Sequence, residues 1–443
     1  MIPRVLTSEQ AYLFRHALLR DAAYQLQLPG DRARLHGLAF STIEKMAGGR
    51  PPEPAPLSFE EIPVASHATD PFARELAEHS GLAQSLAGSE GGSPGILELR
   101  AAQKLYLRRA AEVAEKGFQD DAAQGLWQLH ADLSAGEERA ESLRRAGNAA
   151  HAAGRKALAE SLLERTLELH RRSGNRRGEG IALGNLASFR KESGRIEQGE
   201  SDFRQALAIH REVGDRRAEG LALGNLANLH QDTGRMELAE SGYQQALRIH
   251  RDCGSRQFEG SALGNLALLH EHFGRFEEAE QGYEEALAIH REVGNRRFEG
   301  VTLGNLAVLF QNTRRIEHAE RAYEQALLIH REVGNRWSEG VTRGNLATLY
   351  FGTGRNDLSL RSFEQALALH RQVGNRRFEG RHQCDYAEFL IALGRIDDAR
   401  TEWLAGMAVL RELGDTRQIE KRIPVMREVC HKAGVPPLDE DSA

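Results

Sequence analysis

The chain predicts an all-α fold, a solenoid of stacked antiparallel helix pairs, and three observations carry that expectation. One block recurs every 40 residues between Arg176 and Asn375: GIALGNLASF (180–189), GLALGNLANL (220–229), GSALGNLALL (260–269), GVTLGNLAVL (300–309) and GVTRGNLATL (340–349) superimpose without a slip. Each block is followed by a second apolar stripe of helical spacing, and turn residues fall between the stripes in every repeat. A fixed period of about 20 to 50 residues marks an array whose units stack on one another.

The first stripe places Leu183, Leu186, Ala187 and Arg190 at i, i+3, i+4 and i+7, and repeats as Leu223, Leu226, Ala227, His230 and as Leu303, Leu306, Ala307, Phe310. That spacing sets one face of an α-helix. The second stripe, Ile196, Phe203, Ala206, Leu207 and Val213, returns as Phe276, Tyr283, Ala286, Leu287 and Val293. It defines a second amphipathic helix.

Glycine marks the boundaries. Gly194, Gly234, Gly274, Gly354 and Gly394 close the first helices, and Gly174, Gly214, Gly254, Gly294, Gly334 and Gly374 the second, where a left-handed residue is wanted. Asn175, Asp215, Ser255, Asn295, Asn335 and Asn375 follow as N-caps, and Glu179, Glu219, Glu259, Glu299, Glu339 and Glu379 put negative charge in the next first turn. Arg314 stands where a turn glycine is expected and predicts a local distortion. A single unit buries too little to offset its ordering entropy, so stability should come from nearest-neighbour stacking with specialised ends.

The order L-x-x-L-A, Gly-Arg, an alanine (Ala239, Ala279, Ala319), an aromatic (Phe203, Tyr243, Tyr283, Tyr323, Phe363, Trp403) and Ala206-Leu207 resembles the tetratricopeptide repeat over residues 136 to 415. The unit is longer than the usual one of about 34 residues. In that it is similar to Pins-type scaffolds and kinesin light chains, and Gly-Asn replaces the proline that ordinarily ends the second helix. The resemblance implies a right-handed superhelical solenoid whose first helices line a concave groove that holds an extended peptide.

Seven units of 40 residues are expected over 136–415, preceded by a divergent first helix pair over 96–135 and followed by a capping helix over 416–433 and a disordered tail, 434–443. AGGRPPEPAPLSFEEIP and GSEGGSPG make 47–95 a linker region carrying one helix. Within 1–46, Tyr12 to Tyr24 followed by Arg32-Ala33-Arg34-Leu35-His36 resembles the winged-helix end of bacterial signal-transduction (STAND-type) regulatory ATPases, with His16 and His36 carrying the likeness. It implies a small winged-helix remnant and a sensor arm working with a STAND-type ATPase or kinase supplied in trans. No G-x-x-x-x-G-K-[ST] occurs in the chain, so nucleotide hydrolysis is not expected of it.

Composition bounds the function classes. Cys253, Cys384 and Cys430 lie far apart without a pairing pattern, which fits a reducing compartment, and no run of 18 apolar residues occurs. The expectation is cytoplasmic, with no membrane association. A net charge of -6 gives no sign of a nucleic-acid partner. The pairs Arg176-Arg177, Arg216-Arg217, Arg296-Arg297 and Arg376-Arg377 are each followed by the glutamate column, which favours ion pairs over a phosphate ridge. His170, His210, His250, His290, His330 and His370 fall in different layers about 10 Å apart, too far to share a metal. No cofactor, metal or catalytic constellation is expected, and the chain reads as a non-enzymatic scaffold or sensor.

The candidate site is the groove. The asparagine column Asn185, Asn225, Asn265, Asn305 and Asn345 can bond a peptide backbone step by step, or satisfy backbone groups of the preceding unit; the glycines beside it either open the floor or let helices approach. Asn228, Gln231, Gln311, Asn312 and Thr348 add hydrogen-bonding groups, and Leu268, His272 and Phe351 complete the set with apolar or aromatic surface. Trp337, in place of an arginine at a helix start, is a hot-spot candidate. The partner expected is a protein or peptide.

Overall fold

The structure is a computed structural model that describes residues 24–57, 65–86, 94–117 and 119–438. Among them are nineteen α-helices, one short 3-10 turn and no strand. Residues 1–23 of the expected winged-helix remnant, with Tyr12 and His16, lie outside the described residues, as do 439–443. The chain divides into two compact units, up to Asp215 and from Arg216 onward.

The first unit holds α1 (Pro29–Met46), α2 (Ala73–Leu86), α3 (Pro94–Lys116), α4 (Asp120–Leu133), α5 (Gly136–Ala152), α6 (Lys156–Ser173), α7 (Arg176–Glu192) and α8 (Ile196–Glu212). Consecutive helices pack on one another from α1 through α8. Two expectations change here. The region 47–95 is not a free linker: Leu57, Ala73 and Leu76 are buried in the same core as Phe40, Tyr106 and Trp127. Arg108 holds the proline-rich stretch by donating from Nη1 to the Ala55 carbonyl at 2.6 Å, and Arg109 pairs with Asp70 at 2.7 Å. Nor is α1 a separate module, because Phe40 on it shares that core. Composition missed both, since prolines read as a spacer unless a partner helix is known.

The second unit holds five further pairs: α9 (Arg216–Asp232) with α10 (Met236–Asp252), α11 (Arg256–His272) with α12 (Phe276–Glu292), α13 (Arg296–Asn312) with α14 (Ile316–Glu332), α15 (Arg336–Gly352) with α16 (Asn356–Val373), and α17 (Arg376–Ala392) with α18 (Ile396–Glu412). A last helix, α19 (Thr416–Ala433), packs on both members of the last pair. Pro424 lies inside α19, neither its start nor a break in it. Leu438 is buried in the same cluster as Trp403, Met426 and Cys430, so the chain beyond 433 is packed at least that far and is not a free tail from 434. In both units the helix pairs stack as a solenoid of tetratricopeptide-like repeats.

Cores are shared between layers. One cluster joins Ala267, Tyr283, Leu303, Leu306, Tyr323, Leu346 and Tyr350 from three successive pairs. Removing one pair would therefore expose apolar side chains of its neighbours, each worth roughly 1.5 to 3 kcal/mol when buried.

The turn glycines have positive φ throughout. Arg314 adopts φ 59° and is the one described non-glycine residue to do so. The expected distortion does not occur: Arg314 N donates to the Gln311 carbonyl at 3.1 Å and Arg315 N to that of Phe310 at 2.8 Å, as the glycine turns do. The cost is held in the backbone torsion, where a left-handed L-residue is disfavoured by about 1 kcal/mol. Arg314→Gly should stabilise the chain by up to about 1 kcal/mol, the looser unfolded chain taking back part of the gain. A urea midpoint that falls on substitution would contradict this account.

At the junctions, each column glutamate gathers arginines. Glu299 accepts from Arg291 Nε at 2.9 Å and Arg296 Nη1 at 2.6 Å, and Arg296 reaches on to Glu332 at 2.5 Å. The same three-way link recurs at Glu179, Glu259 and Glu379. Arg177 and Arg377 pair with Asp215 and Asp415 at 2.6 and 2.8 Å, while Arg217 stacks on Phe258. The arginines are spent on intrachain partners, as neutralised pairs require.

The histidine column stands in the last turn of each second helix, as a helix-end polar column would, and it is buried there. His170, His210, His250, His290, His330 and His370 are all at most 3% exposed. Each of the last five lies against a glycine of its own pair: a Cβ on Gly180, Gly220, Gly260, Gly300 or Gly340 would sit 2.6 to 2.9 Å from the imidazole Cε1 of His210, His250, His290, His330 or His370. Those glycines are the seats of the rings.

Candidate functional site

In the second unit the first helices of successive pairs, α9, α11, α13, α15 and α17, touch one another directly, and the second helices make no comparable contact among the described residues. The first helices are therefore the tighter, inner wall. Along it runs a second glycine column. The Cβ position of Gly224 meets no atom within 4 Å, and neither does that of Gly184 at the same repeat position in the first unit; that of Gly264 meets only Thr302 Oγ1 at 4.0 Å, and that of Gly304 meets Thr342 Oγ1 at 3.6 Å. At Gly344 the space is taken, with His382 Cε1 2.1 Å away. The floor is bare at Gly224 and fills step by step as the facing residue grows from threonine to histidine.

The asparagines beside this floor are not equivalent. Asn225 is exposed, while Asn185, Asn265, Asn305 and Asn345 are half-buried. Asn265 Nδ2 donates to Asn228 Oδ1 at 3.3 Å, which links two layers, and Asn185 Nδ2 is buried with no hydrogen-bond partner. Other groove residues are already engaged. The Tyr243 hydroxyl lies 2.5 Å from Asn228 Oδ1 and 2.7 Å from Gln231 Oε1, its one proton shared between the two acceptors, and Tyr323 donates to Gln311 Oε1 at 2.9 Å. Glu271, the equivalent of these glutamines, accepts from Tyr283 at 3.2 Å and from Asn312 Nδ2 at 2.9 Å, and burial pushes its carboxyl up.

The tyrosine hydroxyls are hydrogen-bond neighbours of the candidate residues that sequence reading missed, although a signal exists. Where the second helix carries tyrosine, the position twelve residues earlier is Gln231, Glu271 or Gln311; where it carries Phe203 or Phe363, that position is Lys191 or Phe351. Acceptor and hydroxyl come and go together.

Thr348 Oγ1 donates back to the Gly344 carbonyl at 3.2 Å. Leu268 is 38% exposed on the inner wall, and His272 is exposed beside Phe273. Phe351 differs from its expected role as an open apolar pocket: its ring packs edge-on against Phe389 at 5.3 Å and joins the core of the last pairs. Trp337 is half-exposed and rests edge-on against Phe378 at 5.3 Å, at the start of α15 and away from the groove set.

A cavity of about 350 Å³ ends the inner wall, bounded by Gln311, Asn312, Asn345 and Thr348 on one side and by α17 and α19 on the other. No group of three or more metal-ligating side chains is found among the described residues. No described helix is long and apolar enough to cross a membrane.

Helix pairs in this register, with an open inner wall, define a repeat stack of the tetratricopeptide class. Residues 178–252 and 258–332 match the sequence profile of the tetratricopeptide repeat, and 341–373 match a second profile of the same description. No curated protein matches the chain. Among solved structures, it is similar to a Rap protein complexed with competence and sporulation factor, at 15% identity and TM-score 0.57, over 86% of this chain and 99% of that one. Aspartyl phosphate phosphatase F from Bacillus subtilis is similar at 13% identity and TM-score 0.51, over 86% and 93%. A signal-transduction ATPase with a tetratricopeptide repeat sensor from Pyrococcus horikoshii is similar at 14% identity and TM-score 0.51, over 90% of this chain and 66% of that one. At these identities the likeness is one of fold.

Proposed function

We propose that the chain is a non-catalytic interaction or sensor protein of the cytoplasm that binds an extended peptide or protein segment along its inner wall. The observation that carries this reading is the bare floor at Gly224, flanked by the exposed amide of Asn225, with the half-buried amide of Asn305 two layers further along the same wall. A side-chain amide offers two donors and two lone pairs, which matches the alternating N–H and C=O of a peptide backbone. With no side chain on the floor, that backbone can approach closely. Likeness of fold to a Rap conjugation gene regulator solved in complex with the Phr* peptide supports a peptide ligand.

The test is capture of a partner by crosslinking in native extract, followed by binding of the purified partner to Asn225→Ala, Asn265→Ala and Asn305→Ala combined. At about 1 kcal/mol per lost hydrogen bond, the affinity should fall at least tenfold while the circular dichroism spectrum is unchanged. Equal affinity would count against the groove.

A second reading is that of a sensor arm for a STAND-type ATPase or kinase supplied in trans. It is favoured by the similarity to the Pyrococcus horikoshii protein together with the lack of a phosphate-binding loop motif in this sequence. Co-purification without any ATPase or kinase would weigh against it.

A further inference from the structure

In the last pair the inner wall changes its chemistry. The column that reads Leu221, Ser261, Val301 and Val341 becomes Arg381; the asparagine column becomes Asp385; the column Asn228, Leu268, Val308 and Thr348 becomes Glu388. All three line the cavity of about 350 Å³, and α19 brings Lys421 and Arg422 to its other side.

These charges are not all paired with one another. Arg422, 8% exposed, donates from Nη1 to Asp385 Oδ1 at 2.6 Å, so those two neutralise each other. The Arg381 guanidinium lies 4.8 Å from the Phe378 ring centre; its Nε is buried without an acceptor, and no ion pair is found for it among the described residues. Burial pushes its pKa down. Glu388 makes no hydrogen bond or ion pair among the described residues, and burial, with Asp385 next in effect, pushes its carboxyl up to about 7. An unpaired cation and an unpaired carboxyl therefore border one small cavity. They stand two helical turns apart on α17, about 10 Å along its axis, and are not joined to each other. Both side chains are half-buried, so each charge is partly desolvated, and a ligand carrying both opposite charges offsets that cost at both ends.

We propose that this cavity binds a small zwitterion, a free amino acid or dipeptide, whose carboxylate meets Arg381 and whose ammonium meets Glu388. Lys421, exposed at the mouth, steers the carboxylate inward, and the Asn345 amide on the facing helix completes the lining. Arginine suits the first role because its planar fork matches a carboxylate. The inference goes beyond the groove reading and stands apart from it, because the ligand is assayed without any peptide partner.

The experiment uses the full chain and thermal unfolding with titration calorimetry. The probes are the twenty free amino acids and a set of alanine dipeptides, each compared with its N-acetyl and its C-terminal amide form. At least one free zwitterion should raise the unfolding temperature and bind, with both blocked forms at least tenfold weaker. Tighter binding of amino acids than of dipeptides identifies the former as the source; the reverse order identifies the latter. Arg381→Gln and Glu388→Gln should each weaken binding at least tenfold. Glu388→Gln, which removes a half-buried unpaired carboxyl, keeps the comparison readable should Arg381→Gln unfold. No shift from any probe, blocked forms equal to free ones, or full affinity in Glu388→Gln would overturn the proposal.

Discussion

Lowering the pH from 7 to 5 should cost the chain about 6 kcal/mol of folding stability through its three most strongly shifted histidines, one in the first unit and two in the second. The cause is the buried imidazoles. Burial pulls the pKa of His130 down to about 3 and those of His330 and His370 to about 4, and it lowers His170, His250, His290 and His382 as well. The unfolded chain takes up protons near 6.5, its folded counterpart only near 4 or below. Between those values the unfolded state binds more protons, so stability is complete above about 6.5 and is lost as the pH falls toward 4. Each of the three strongly shifted histidines contributes about 2 kcal/mol to the loss at pH 5. Glu388 acts in the opposite sense: its carboxyl, raised to about 7, favours the folded state as it is protonated and offsets about one histidine.

Urea midpoints measured from pH 7.5 to 4.5 check this. His330→Leu, which installs the residue that position 410 carries in the last pair, should flatten the second unit's loss. Equal slopes for both proteins would show that His330 is not the group that titrates.

Glu339→Ala should destabilise the second unit by roughly 3 kcal/mol. Its carboxylate is 1% exposed and accepts from Arg331 at 3.1 Å, Arg336 at 3.0 Å and Arg343 at 2.9 Å. Burial raises its pKa, and hydrogen bonds from Arg343, Arg331 and Arg336 more than offset this and hold the carboxyl below its usual range. Arg331 and Arg336 are half-exposed and water would receive them, whereas the Arg343 side chain is only 17% exposed and would lose its buried counter-charge. The contrast is Glu332→Ala. That carboxylate pairs with Arg296 but is 47% exposed, and exposed pairs contribute only about 0 to 1 kcal/mol. Similar midpoints for the two variants would remove the distinction drawn between buried and surface members of the network.

The helix pairs were legible because their signals are local and repeated. Leu183, Leu186 and Ala187 state a face within one turn, and Gly194 states its end; five copies remove the ambiguity of any one. The groove was legible only in part. Asn228 and Gln231 were placed correctly along their helix, but nothing local says that the Tyr243 hydroxyl uses them as acceptors. Phe351 reads as an open pocket until Phe389 closes on it.

The amino-acid sequence by itself determined the helices, their turns and their order, because apolar period and left-handed glycines act within a few residues. Tertiary structure alone decided which polar groups are spent and which are left over. It seated the histidine rings on Gly180 through Gly340, strapped the proline-rich stretch to α3, and left Arg381 and Glu388 unpaired in one cavity while Asp385 took Arg422. The physical reason is that burial and pairing are properties of neighbours 12 to 53 residues away, and no repeat period encodes them where the pattern is broken.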